Sequence, residues 1–226
     1  NYTDRVITTI PISGTYNLAN NNFQVEWKVA PSFARVYDKD FRRTFFELEN
    51  GRYTLDASST QWPTRLWRNL EEDALASKVD IYYNYKINGY DNKLRFGAAY
   101  SNKERDFTTS NYQIGFLGLS SSLNGDPNQI LLPANLWRLQ TPNRGAYTIG
   151  SYQRTNQYMS KSNITAAYVS NELKISAKLK SILGVRFEKY NTVYTGETID
   201  TNVSYNDDVI IDVNDIYPSV NLINSF

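Results

Sequence analysis

The residues that could do chemistry in this 226-residue chain are acids, cations and aromatics, because histidine and cysteine are both absent. That removes a Ser-His-Asp triad, thiolate or imidazole metal sites, disulfides and a histidine-ligated haem. Asp207, Asp208, Asp212, Asn214 and Asp215 form an oxygen-rich stretch of the kind that holds calcium. Their spacing lacks the central Gly and closing Glu of an EF-hand loop, so a solvated acidic loop is the simpler reading and no metal is expected. Arg95, Lys103, Arg105, Arg186 and Glu188 could meet a charged ligand, or pair among themselves across strands. Trp62, Trp67, Trp137 and Tyr147 could stack on a flat ligand, or pack loop against loop. No phosphate-binding glycine loop, nucleophile–base set or paired catalytic carboxylates are found, so neither enzyme activity nor a cofactor is expected. The triplets Asn163-Ile164-Thr165 and Asn202-Val203-Ser204 match a glycosylation acceptor, a pattern too common to carry weight.

The elements that must carry these residues are strands. Tyr occurs 18 times, Phe 10 and Trp 4, against one Met, and aromatic residues favour pleated, half-buried surfaces. In Ser181–Tyr190, Leu183, Val185 and Phe187 alternate with Gly184, Arg186 and Glu188, so an uncharged row lies back to back with a charged one. The same alternation sets Phe23, Val25, Trp27 and Val29 against Glu26 and Lys28. It sets Val79, Ile81, Tyr83, Tyr85 and Ile87 against Asp80 and Lys86, and Leu94, Phe96, Ala98 and Tyr100 against Arg95 and Lys103. A first strand covers Val6 to Leu18, with Pro11 marking an edge or a bulge. Ile164, Ala166 and Tyr168 are expected to pair with Leu183, Val185 and Phe187, and Ile216, Val220 and Leu222 begin a seventh strand.

Short turns at 19–22, 88–92 and 171–180 alternate with long segments at 38–73, 108–159 and 195–215, the first with a helical turn near Leu66–Leu75. This reads as an all-β chain: an antiparallel transmembrane β-barrel section of about seven strands, with short periplasmic turns and long extracellular loops. Its uncharged rows (Leu183, Val185, Phe187, Leu94, Phe96, Val25, Trp27) would face lipid, and Arg95, Lys103, Arg105, Arg186 and Glu188 the lumen. Tyr16, Tyr37, Tyr100 and Tyr168 stand where an interfacial girdle requires aromatics. A soluble β-barrel with an apolar interior gives the same period; strand length, the alternation of connection lengths and these tyrosines favour the membrane. Lys and Arg number 24 against 23 Asp and Glu, so no bulk charge draws the chain to nucleic acid.

Asp40-Phe41-Arg42-Arg43-Thr44, Arg65-Leu66-Trp67-Arg68-Asn69-Leu70-Glu71, Lys93-Leu94-Arg95-Phe96-Gly97, Lys103-Glu104-Arg105-Asp106-Phe107, Leu183-Gly184-Val185-Arg186-Phe187-Glu188 and Pro218-Ser219-Val220-Asn221-Leu222 follow in that order. As an ordered set they resemble the middle of the barrel of TonB-dependent outer-membrane receptors, especially those of Bacteroidetes. The resemblance implies a 22-stranded barrel with an internal plug, which imports a scarce ligand (siderophore, glycan or peptide) across the bacterial outer membrane. The implied partners are outer-membrane lipid, the plug and TonB complex through parts outside this chain, a surface lipoprotein and the ligand. Residues 1–226 are then expected to be one part of a single barrel domain, lacking the plug. The terminal Phe226 fits a truncation better than a natural barrel end. A non-transporting outer-membrane barrel, serving as adhesin, scaffold or secretion component, is the alternative of another class.

Overall fold

The computed structural model describes residues 2–18, 22–55, 62–119, 123–150, 154–198 and 203–224. Phe226 and Asn202 lie outside them. The strands are β1 (Thr3–Thr9), β2 (Ile12–Leu18), β3 (Phe23–Arg43), β4 (Phe46–Glu49), β5 (Arg52–Leu55), β6 (Thr64–Ile87), β7 (Tyr90–Leu117), β8 (Gly145–Ile149), β9 (Gln157–Lys174), β10 (Leu179–Glu197) and β11 (Ser204–Asn224). The only helical turns among the described residues are single 3-10 turns at Leu123–Gly125, Pro127–Gln129 and Arg154–Asn156.

One sheet runs in the order β1-β3-β6-β7-β9-β10-β11, with β2 also on β3 and β8 also on β7, while β4 and β5 form a separate hairpin. Spatial order follows chain order, as in an up-and-down meander. Pro11 separates β1 from β2 on the outermost strand position, where a missing N–H is tolerated. Asn50-Gly51 and Asn88-Gly89 turn their hairpins with φ of 49° and 77°, and of 50° and 77°. These are the left-handed pairs that match the twist of the flanking strands.

The strands exceed the sequence expectation. β6 has 24 residues and β7 has 28, against about 5–6 for soluble proteins. Of three segments read as loop, 38–73 and 195–215 are largely strand and 108–159 is strand at its two ends and in β8. The expected loop 38–73 with a helical turn is replaced by β3 running to Arg43 and β6 starting at Thr64. The charges that suggested a loop are matched across strands, Arg65 to Asp40 and Arg68 to Asp38. The segment 108–159 narrows to a connection from 118 to 156 that itself contains β8. The expected third long loop, 195–215, does not form: β10 continues to Glu197 and β11 begins at Ser204. The β-branched run Val209-Ile210-Ile211 outweighs the flanking aspartates. Register shifts at Thr192/Val193 and Tyr194/Gly196 and a φ of 55° at Asp207 take up the irregularity.

Two compact units divide the chain. The first comprises Asn1–Arg5, Val36–Leu70 and Phe107–Gln157; the second comprises Val6–Arg35, Glu71–Asp106 and Tyr158–Phe226. The first unit has a small apolar core of Leu55, Ile114, Leu123, Ile130 and Ala146, with Phe46, Phe116, Leu119 and Leu131 packed on it. The second unit is a two-faced sheet. On one face stand Leu183, Val185 and Phe187, opposite Val220, Pro218 and Ile216 on β11, all three β10 side chains being exposed. Phe23 stacks on Tyr83 and Tyr83 on Tyr85, forming an aromatic cluster beside the Asn88-Gly89 turn on this uncharged face.

The β9–β10 register corrects one expectation. Arg186 lies opposite Tyr168, Glu188 opposite Ala166 and Val185 opposite Val169. Tyr168 therefore belongs to the charged face, not to the uncharged row or a girdle. The turn is tighter than 171–180, since β9 ends at Lys174 and β10 starts at Leu179. A one-residue slip moves every side chain to the other face.

Candidate functional site

The charged face of the second unit is built around Asp80 of β6, only 4% exposed. Its carboxylate accepts from Arg95 Nε of β7 at 2.8 Å and from the Tyr168 hydroxyl of β9 at 2.5 Å, with Lys78 Nζ at 2.9 Å. Tyr168 lies over Gly97, where a Cβ would fall inside the tyrosine ring's contact distance. Arg95 and Arg186 bring their guanidinium carbons to 5.1 and 5.5 Å from the Tyr168 centroid, and Lys78 Nζ lies at 5.9 Å. The ring's negative face attracts each cation. Arg186 also donates to Glu188 on its own strand at 2.8 Å. These groups edge a cavity of about 300 Å³, lined by Lys78, Arg95, Tyr168, Ser170, Arg186 and Tyr217 among others.

Further along the same face, Glu72 accepts from Arg105 Nε at 2.8 Å and meets Lys103 Nζ at 3.4 Å. Tyr82 donates to Glu26 at 3.2 Å while Lys93 Nζ lies 4.0 Å from its ring centre. Arg95, Lys103, Arg105, Arg186 and Glu188 thus share a face as expected, and each has a partner. Sequence reading missed Asp80 as the hub and Tyr168 as the platform. The available signal was Gly97 within an otherwise well-filled strand, a mark of close approach by another group. Chemically, the face offers polar hydrogens and rings held in place, with charge largely neutralised. Exposed pairs of this kind contribute about 0–1 kcal/mol each; the burial of Asp80 makes its pairing matter more.

The expected aromatic quartet does not form one site. Trp67 is in β6 rather than a loop; Arg65 lies 5.0 Å from its ring centre and Tyr112 packs edge-on at 5.8 Å. Trp137 donates its indole N–H to the Pro142 carbonyl at 2.9 Å, and Tyr147 in β8 covers Gly115. The Trp62 carbonyl accepts from the Thr64 hydroxyl at 3.1 Å. All four belong to the first unit. Arg65 holds Asp40 through a two-pronged contact at 2.6 and 2.5 Å, and Arg42 adds two more hydrogen bonds at 2.8 and 2.5 Å. Asp40 sits at φ 59°, a conformation that Asp tolerates better than most residues. Arg65 first, and then Arg42, hold the Asp40 carboxyl well below the usual carboxylate range. A cavity of about 380 Å³ opens beside them, lined by Arg42, Phe46, Arg65, Ile114, Ile130 and Leu131 among others.

The acidic residues read as a loose cage are strung along β11. Asp207 pairs with the Thr195 hydroxyl, Asp212 lies 3.6 Å from Lys189, and Asp215 accepts from Tyr217. Among the described residues no three acidic side chains converge on a point that could hold a metal ion.

Long antiparallel strands in chain order, with the exposed apolar row of β10 backing an ion-paired one, have the form of a section of a large up-and-down β-barrel. The solved structures support this. The chain is similar to the ferric-catecholate import receptor Fiu of E. coli K12 in its open form, with a TM-score of 0.53 and 10% identity, covering 97% of this chain and 32% of that one. For the closed form the TM-score is 0.52 at 12% identity, covering 98% and 30%. The fold is thus that of a section of a TonB-dependent receptor barrel, and the chain spans about a third of the length of those structures. No family model and no curated protein matches the chain, and nothing in these likenesses supports the expected Bacteroidetes origin.

Proposed function

We infer that this chain is part of the wall of a TonB-dependent receptor that imports a scarce ligand across the bacterial outer membrane. It forms one part of a single barrel domain, and the plug and the TonB contacts belong to other parts of the receptor. Leu183, Val185, Phe187, Leu94, Phe96, Val25 and Trp27 meet lipid; Arg95, Lys103, Arg105, Arg186 and Glu188 face the lumen. The connections containing β4–β5 and β8 lie outside the cell, where Trp62, Trp137 and Tyr147, with Trp67 near the adjoining start of β6, meet the ligand first. The observation that carries this reading is the sorting of charge. In β10 the exposed side chains Leu183, Val185 and Phe187 share one face, while Arg186 and Glu188 pair on the other. A soluble sandwich has reason to expose its charged row, but none to leave the uncharged row uncovered. Ferric catecholates, the ligands named for Fiu, are the first class to test for import.

The chain contains no cysteine, which makes single-thiol labelling direct. In full-length protein in outer-membrane vesicles, otherwise free of reactive thiols, Val185→Cys is expected to react with a lipid-phase maleimide. Arg186→Cys is expected to react with a membrane-impermeant reagent. The opposite pattern at the two positions inverts the facing and removes the reading.

A further inference from the structure

In the first unit two guanidiniums share one carboxylate beside a cavity that is otherwise walled largely by hydrocarbon. Arg65 and Arg42 each donate Nε and Nη2 to Asp40, so the cluster keeps a surplus of one positive charge. A guanidinium donates from every one of its nitrogens, and Nη1 of Arg65 lies outside that contact. Both cations line the cavity of about 380 Å³, whereas Asp40 does not. Among the described residues they are the only charged side chains that line it. Ile114 and Ile130, 3% and 2% exposed, complete the wall with Phe46 and Leu131, all four belonging to the unit's apolar cluster. Arg65 is also held against the Trp67 ring, 5.0 Å from its centre. Every lining group belongs to the first unit, so the site does not depend on which face of the second unit meets lipid.

A pocket with a positive anchor and an aliphatic wall fits a molecule built the same way. An anionic group meets the guanidinium edges in charge-assisted hydrogen bonds, and a hydrocarbon chain takes the apolar wall out of water. At about 30 Å³ per water-sized group, the cavity has room for about 12 non-hydrogen atoms. A ligand rich in hydroxyls finds few partners there. Besides the arginines, the polar lining side chains are Thr44, Thr64 and Asn128; Thr64 already donates to the Trp62 carbonyl and Asn128 to Asp126. We propose that the first unit binds an aliphatic carboxylate of about ten carbons, its carboxylate on Arg42 and Arg65 and its chain against Phe46, Ile114, Ile130 and Leu131.

The test uses full-length protein in lipid nanodiscs, with empty nanodiscs measuring partition into lipid. Gel mobility of the unheated sample and resistance of the first unit to protease report that each variant is folded. The probe is decanoate carrying a diazirine at its chain end, which crosslinks on illumination and is located by peptide mass spectrometry. Saturable labelling of the peptides holding Phe46, Ile114 or Ile130–Leu131 is expected, and unmodified decanoate should compete for it. Hexanoate, with four fewer methylene groups, is expected to compete about tenfold less well, as is uncharged decanol. Leu131→Asp and Arg42→Gln should each weaken labelling about tenfold, while Arg42→Lys should keep part of it. Labelling no greater than in empty nanodiscs, labelling confined to other peptides, or hexanoate or 2,3-dihydroxybenzoate competing as well as decanoate would overturn the proposal. So would parent-like labelling in both Arg42→Gln and Leu131→Asp. Thiol labelling at positions 185 and 186 is independent of each of these results, so the proposed receptor wall stands or falls separately.

Discussion

Gly97→Ala is expected to dismantle the best-ordered part of the charged face, although it adds a single methyl group. The new Cβ would lie well under 3.0 Å from Cζ, Cε2 and the hydroxyl of Tyr168. Carbon atoms settle at about 3.5 Å or more, so the ring must shift by more than about 1 Å. The obstacle is a rigid ring already stacked with Arg95, Arg186 and Lys78. A shift of that size stretches the 2.5 Å bond from the Tyr168 hydroxyl to Asp80 out of good geometry. A hydrogen bond to a charged group contributes about 1.5–3 kcal/mol and each half-exposed cation–π contact about 0.5–1 kcal/mol. Because the cations reach water and recover part of their solvation, a net loss of about 2–3 kcal/mol is expected. Urea unfolding of the full-length barrel in detergent reads this as a lower midpoint at unchanged slope. The double variant Gly97→Ala/Tyr168→Ala should be no less stable than Tyr168→Ala alone, since no ring remains to displace. A Gly97→Ala midpoint within about 0.5 kcal/mol of the parent, or a double variant less stable than Tyr168→Ala, would refute the reasoning.

Two further outcomes follow from the turns and from the first unit. Gly89→Val places a β-branched residue at φ 77° and should cost about 1–2 kcal/mol, measurable in the same unfolding assay, whereas Gly89→Asn should cost less. The Asp40 carboxyl is held low by Arg65 and Arg42. Its contribution is therefore fully present above the unfolded value of about 3.9 and is lost as pH falls from there towards the folded value. Protease nicking of the first unit should rise below about pH 4 in the parent, while Asp40→Asn should nick at neutral pH as well and respond less to acid.

How far the fold was legible depended on what each segment had to satisfy. Where one face is uncharged over many positions, as in Leu183–Phe187 or Phe23–Val29, alternation alone located the strand and sorted its faces. Where charges interrupt both faces, as in Arg65–Glu71 and Asp207–Asp215, the period-two signal vanishes and strands read as loops. Those strands persist because partners brought from elsewhere satisfy them, Asp40 for Arg65 and Thr195 for Asp207. Of the candidate site, the shared face of Arg95, Lys103, Arg105, Arg186 and Glu188 was legible from parity. The role of Asp80 was not, since its three partners lie on its own strand, on β7 and on β9.

The amino-acid order by itself determined a seven-strand meander, the Asn88-Gly89 turn and which rows carry charge, because these follow from local geometry and period. Tertiary structure decided the register of β9 on β10. That register depends on how tightly the chain turns between Lys174 and Leu179, and a single residue of difference moves Tyr168 from one face to the other. The pairing made Tyr168 the platform for three cations and the partner of Asp80. It also brought Tyr158 against Tyr194, 36 positions further along the chain, so that their rings stack.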